Sequence, residues 1–270
     1  MSQNPAHRAH TNAGRGSPPD IPTLGSTCLD IRRELGLSRG LAYQHHGIST
    51  SYLFKIEAGL TTPKPETLDK IINGYGLDPM RGRHLHELSN PTEPIPTADR
   101  LRRCAHGTVG RSYLRDLEGR DICAAYVDPL WNVLDSTDGF RSLLAGVDET
   151  GNMRAWMFGP RAHTVLTDWP YEATRTVAVV RAALGRYRTS EQARDLIRQL
   201  RPNNDFRRLW SESTRVAYGR HITDLLHRRD PETKELTSWR ISVADLTQNS
   251  HIQLVTAIRQ HYSGPDPANT

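Results

Sequence analysis

Thr50, Ser51 and Lys55 stand on a short segment whose apolar residues, Ile48, Leu53 and Ile56, fall on a different face at helical spacing. Two small hydroxyls beside an ammonium group offer donors and acceptors of the kind that base edges present in the major groove, which admits a single helix. Just upstream, Leu41-Ala42 gives another short helix an apolar edge, and Gly47 supplies a turn. The stretch Leu37 to Gly59 therefore predicts a helix-turn-helix that binds double-stranded DNA. A solvated helix hairpin used for protein contacts is the competing reading of the same pattern.

Other constellations carry less. Gly36-Leu37-Ser38-Arg39-Gly40 fits the nucleophile elbow of hydrolases, but that motif needs a strand before it. An amphipathic helix precedes it here, and Ser38 has a simpler task as a helix cap. His84-Leu85-His86-Glu87 puts His84 and Glu87 on one helix face without the spacing of a metalloprotease site, so a solvated helix end is expected. His45-His46 suits either backbone contact with DNA or simple packing. No catalytic residue, metal ligand or cofactor site is expected. Cys28, Cys104 and Cys123 match neither a disulfide framework nor a zinc site, and read as reduced core residues. Tyr126, Trp131, Trp156, Phe158, Trp169 and Trp210 gather in the second half, where they are either plain core or the walls of a pocket.

Composition bounds these readings. The chain has 270 residues, 24% of them charged and 36% hydrophobic, enough for two domains with cores. No run reaches the roughly 18 apolar residues of a membrane helix. The polar N-terminus does not read as a secretory signal, so a cytoplasmic protein without membrane partners is expected. A net charge of +5 suits nucleic acid. Residues 23–90, however, hold eight Lys or Arg against seven Asp or Glu, so the helix pattern and not the charge nominates the DNA binder.

Taken in order, residues 1–22 have almost no apolar content and predict a disordered tail. Residues 23–90 predict a small all-α domain of five helices, the first over Leu24 to Leu35 and the fifth over Pro79 to Leu88. Ser38 and Ser49 are placed to cap the second and third, and Pro65 to open the fourth. Three prolines in Ser89 to Pro96 mark a stiff linker, and an arginine-rich helical stretch completes a connection over 91–120. In the second domain, 121–262, Ile122 to Val127 and Trp131 to Leu134 read as strands. Helices follow around Phe140 to Leu144, Tyr171 to Leu184 and Glu191 to Leu200. Thr214 to Leu226, Leu236 to Val243 and Ile252 to Ile258 read as strands again, with Asp230-Pro231 in a hairpin turn. That order predicts an α+β domain, an antiparallel sheet with helices on one face. Residues 263–270 read as a flexible end.

Leu37, Leu41-Ala42, Gly47-Ile48, Ser51-Tyr52-Leu53, Ile56-Glu57-Ala58-Gly59, Pro63 and Leu68 make Leu24 to Leu77 resemble the helix-turn-helix domain of XRE-type (lambda-repressor-like) regulators. Ala125-Tyr126-Val127, Trp131-Asn132-Val133-Leu134, Phe158-Gly159-Pro160, Asp168-Trp169, Glu172-Ala173, Phe206 and Leu209-Trp210 make the second half similar to the MmyB-like ligand-binding domain of actinobacterial regulators. The resemblance implies that Thr50, Ser51 and Lys55 face base edges, while Arg39, Tyr52 and Lys64 hold phosphates. Arg39 stands where that family has a glutamine. It also implies a PAS-like second domain around a small, lipid-like molecule, with Tyr126, Trp131, Trp156, Phe158 and Trp210 as candidate walls. The expected protein is a homodimeric transcriptional regulator. The alternative is that the second domain senses nothing and docks a partner protein, RNA polymerase or a second regulator.

Overall fold

Side-chain caps set the helices of the first half. The computed structural model describes residues 17–247 and 249–264. In it, α1 (Leu24–Glu34) opens with a capping box, in which the Thr23 hydroxyl accepts from the Ser26 amide and the Ser26 hydroxyl accepts from that of Thr23. Ser38 and Ser49 cap α2 (Arg39–His46) and α3 (Thr50–Glu57), accepting from the Leu41 and Tyr52 amides at 3.1 and 3.3 Å. Gly47, at φ +69°, closes α2 in the left-handed region and lets the chain reverse into α3. Pro65 begins α4 (Pro65–Gly74), and Asp78 caps α5 (Pro79–Ser89).

These five helices bury Cys28, Ile31, Leu53, Ile56, Leu68 and Ile71 together. The helix α1 crosses α3 closely, because a Cβ on Gly25 would lie 2.7 Å from the Ile56 and Glu57 carbonyl oxygens. The expected apolar edge of α2 is corrected in part. Ala42 is buried, but Leu41 is exposed, since so short a helix turns only Ala42 and His46 into the core.

The arginine-rich stretch forms α6 (Ala98–Ala105) and α7 (Thr108–Glu118), broken at His106-Gly107. Next come β1 (Cys123–Val127), β2 (Val133–Ser136), α8 (Asp138–Leu143), α9 (Val147–Thr150), α10 (Met153–Met157) and α11 (Pro160–Val165). The long α12 (Trp169–Arg186), α13 (Glu191–Leu200) and α14 (Asn204–Glu212) follow, then β3 (Leu226–Arg229), β4 (Leu236–Leu246) and β5 (Asn249–Gln260). The strands form one antiparallel sheet in the order β2-β1-β5-β4-β3. The chain is thus α+β, with a helical first part and a sheet-and-helix second part.

Four expectations change. Helices cover both faces of the sheet, not one. Successive strand residues point to opposite sides, and every residue of β1 is buried. Cys123, Ala125 and Val127 pack towards α8 to α14, while Ala124 and Tyr126 pack under Leu101, Ala105, Leu114 and Leu117 of α6 and α7. Thr214 to Leu226 is not a strand: residues 213–225 are irregular, and their backbone bonds go elsewhere. The Ala217 amide donates to the Ala178 carbonyl at 3.2 Å, and the Arg215 carbonyl accepts from Arg181 Nη1 at 2.7 Å.

The disordered tail expected over 1–22 does not extend to 17–22, where Ser17 donates to Asp30 at 2.6 Å, Pro19 accepts from Arg201 at 3.0 Å, and Ile21 joins the second-half core. The remainder of that expectation, and most of the flexible end over 263–270, fall outside the described residues. Among the cysteines, Cys28 and Cys123 are buried, whereas Cys104 is exposed on the outer side of α6.

Candidate functional site

Glu57, at the end of α3, is buried, and its carboxylate gathers two arginines. Arg32 Nε and Nη2 donate to it at 2.5 and 2.9 Å, and Arg39 Nε donates at 2.8 Å. Arg32 also donates to the Leu37 carbonyl at 2.7 Å, so the cluster ties α1, the following turn, α2 and α3 into one rigid unit. The bond to Glu57 raises the Arg32 pKa further. The turn is held on its other side by His46, whose Nδ1 accepts from the Ile48 amide at 3.1 Å and whose Nε2 lies 3.3 Å from the Tyr75 hydroxyl. His46 is therefore buried packing.

On this frame Thr50, Ser51 and Lys55 are exposed along α3, while Leu53 and Ile56 point inward. Tyr52 is half-buried against the core. Lys64 is exposed at the start of α4. Arg39 is half-exposed, bound to Glu57 and set over the Phe54 ring at 5.0 Å. The structure thus brings Thr50, Ser51 and Lys55 onto the open face of one helix, with Arg39 and Lys64 at the starts of α2 and α4.

The second half holds a cavity of about 200 Å³ between the inner sheet face, α8, α10, α12 and residues 217–220. Trp131, Phe140, Met153, Trp156 and Met157 line it together with Val179, Ala183, Ile241 and Val255. Trp131 sits in the left-handed region at φ +68°, a costly conformation for a bulky residue. A polar network holds it there. Asp128 accepts from the Leu130 and Asn132 amides at 2.9 and 3.0 Å, and Asn152 Nδ2 donates to the Leu130 carbonyl and Asn132 Oδ1, both at 2.9 Å. Asn152 also caps α10 through the Arg154 and Ala155 amides.

The consequence is electrostatic. Arg154 is buried with its guanidinium stacked 3.7 Å over the Trp131 ring, and its Nε has no hydrogen-bond partner. Burial, then Arg175, pushes the Arg154 pKa down to about 9. Arg175 and Arg220 also line the cavity, and Asp224 lies 3.5 Å from each. Glu172 pairs with Arg220. Among the described residues no carboxylate pairs with Arg154. The group therefore holds three arginines against two carboxylates, one buried positive charge in excess.

Of the aromatic candidates, Trp131 and Trp156 line this cavity, and the other three do not. Tyr126 faces the opposite side of the sheet under α7, donating to the Gly110 carbonyl at 3.3 Å, because alternate strand residues diverge. Phe158 is core, edge-on to Phe206 and Trp169. Trp210 faces a different cavity, about 490 Å³, between residues 17–22, α1 and α14, and carries Arg181 4.3 Å over its ring. That larger space has mostly hydroxyl, carboxylate and proline walls, whereas the smaller one is walled mainly by aromatic and aliphatic side chains. The arginines were missed because their convergence joins residues far apart in the chain. The only local hint was Arg154 beside Trp156.

His84 is corrected as well: it is buried between α5 and α12 with both ring nitrogens unpartnered, not solvated. A Cβ on Gly185 would lie 2.5 Å from its ring, so α12 crosses α5 at a glycine.

Two family models match the chain. The MmyB-like transcription regulator ligand binding domain matches residues 109–260, and a helix-turn-helix matches residues 30–80. The chain belongs to the MmyB-like transcription regulators. It is a DNA-binding regulator with a ligand-binding domain, and neither matched family is an enzyme. No curated protein matches the chain. Within this MmyB-like chain no described helix is long and apolar enough to cross a membrane, and no described group of three or more His, Cys, Asp or Glu is placed to hold a metal.

Proposed function

We propose that this regulator binds its operator as a homodimer and that its cavity takes a small lipid-like molecule with an acidic head. The observation that carries the ligand reading is Arg154, a buried guanidinium without a carboxylate in an apolar, aromatic-walled cavity. Burying a cation without a partner is costly. An apolar tail against Trp156, Met157 and Val179 with a carboxylate on Arg154 satisfies both halves of the cavity. Denaturing extraction of the purified protein followed by mass spectrometry tests this, with thermal unfolding in the presence of decanoate as a second readout. A bound acidic amphiphile and a raised melting temperature are expected. An empty extract with no thermal shift from any such acid would refute the reading and leave docking of a partner protein.

In the DNA reading, Thr50, Ser51 and Lys55 contact base edges, and Arg39, Tyr52 and Lys64 hold phosphates and fix the register. Dimerisation follows from economy, since one helix of eight residues reads too few bases to select a site in a genome. Ser51→Ala or Lys55→Ala is expected to weaken binding to the cognate site by roughly 1–3 kcal/mol and binding to a scrambled duplex much less. Fluorescence anisotropy on both duplexes decides it. Equal loss on the two would remove the base-reading role.

A further inference from the structure

The irregular segment 213–225 faces two ways. Towards the DNA-binding helices, the Thr214 amide donates to Glu34 Oε2 at 3.1 Å, and its hydroxyl binds the same carboxylate. Tyr218 donates its hydroxyl to Glu87 Oε2 at 2.6 Å, and the Arg83 guanidinium lies 3.7 Å over its ring. Arg83 in turn donates to Glu87 at 2.9 Å. Towards the second domain, residues 217–220 are a wall of the aromatic cavity, and Arg220 belongs to its charged group. Tyr218 takes part in both, so one residue borders the cavity and grips α5 at once.

The grip is selective. Glu34 ends α1 and Glu87 lies near the end of α5, whereas α3 and its exposed face are untouched by the segment. Displacing the segment would therefore act on α1 and α5, beside the α5–α12 contact at Gly185, and leave α3 itself unaltered.

We propose that residues 214–220 act as a strap that passes cavity occupancy to the DNA-binding domain, with Tyr218 as the shared contact. This rests on the ligand reading above. An occupant pressed against Tyr218 and Arg220 favours one position of the strap over another, which is the unequal interaction that any ligand-driven shift requires. In a dimer, displacing α1 and α5 changes the spacing of the two reading helices, on which operator affinity depends.

The test uses the full chain, decanoate as probe and an operator selected from a random duplex pool. Glu87→Ala and Arg83→Ala both loosen the clamp on Tyr218, and neither residue lines the cavity or belongs to α3. Decanoate is expected to change wild-type operator affinity at least about fivefold. Both variants should bind decanoate within about twofold of wild type, yet lose that change in operator affinity. Variants that keep the wild-type response would overturn the strap.

If decanoate fails to bind the wild type, that result counts against the acidic-lipid reading alone. The strap is then decided by amide exchange without ligand. Glu87→Ala should speed exchange of the cavity-wall amides Gly219 and Arg220 about tenfold. Acceleration confined to α5 would overturn the proposal.

Discussion

Glu57 shows how one side chain fixes the frame of three helices. Its carboxylate accepts from both Arg32 and Arg39, one negative charge shared by two cations, and has little contact with water. Glu57→Ala leaves Arg32 buried and unpaired, so we expect a loss of about 3 kcal/mol or more in urea unfolding. Arg154 is the opposite case, a buried cation with no carboxylate paired to it among the described residues. Arg154→Leu is expected to leave the ligand-free chain as stable or to stabilise it, while abolishing any stabilisation by decanoate. A clear loss of stability in the ligand-free Arg154→Leu variant would mean that Arg154 is structural and not a ligand contact. Of these two residues, Glu57 stood within a stretch whose pattern was already legible. Arg154 did not, because its value depends on Arg175 and Arg220 arriving from α12 and the strap.

Helices α1 and α3 meet at Gly25, where the Ile56 and Glu57 carbonyls leave no room for a methyl group. Gly25→Ala must push these helices apart, and we expect a cost of about 1–3 kcal/mol by chemical denaturation. The Arg32–Glu57 bonds span the same crossing, so weaker operator binding should accompany it. Helix starts were legible in the sequence at this scale because caps are local: Ser38 and Ser49 bond residues three positions away. The strap was not. Val216, Ala217 and Tyr218 have strand-like side chains, but Arg181 and α12 take the backbone groups that a ladder would need.

Across the molecule, α5 of the DNA-binding domain docks on α12 with His84 enclosed at the seam. Burial, with Arg181 and Arg188 nearby, pushes its pKa down to about 3 from an ordinary value of about 6.5. Between those two values the unfolded chain holds the proton and the folded chain does not, so stability falls as pH drops through that window. His84→Leu removes the orphaned imidazole. Its urea midpoint relative to wild type should therefore improve progressively from pH 7 to pH 4. A constant difference between the two would place the acid sensitivity elsewhere. DNA binding should weaken steeply with salt, as phosphate contacts release counterions. A flat salt dependence would argue against Arg39 and Lys64 as backbone contacts.

Features carried by neighbouring residues were therefore readable before any fold was known. The helix-turn-helix, its caps, the Pro-rich connection and most strands depend on periodicity and on bonds between residues a few positions apart. The side of the sheet on which Tyr126 falls depends on what covers each face, and that is set by α6 and α7. The burial of His84, the charge imbalance around Arg154 and the double contact of Tyr218 all join residues far apart in the chain. A buried charge or an orphaned ring has meaning only once its neighbours are in place, because burial and pairing are properties of the packed molecule.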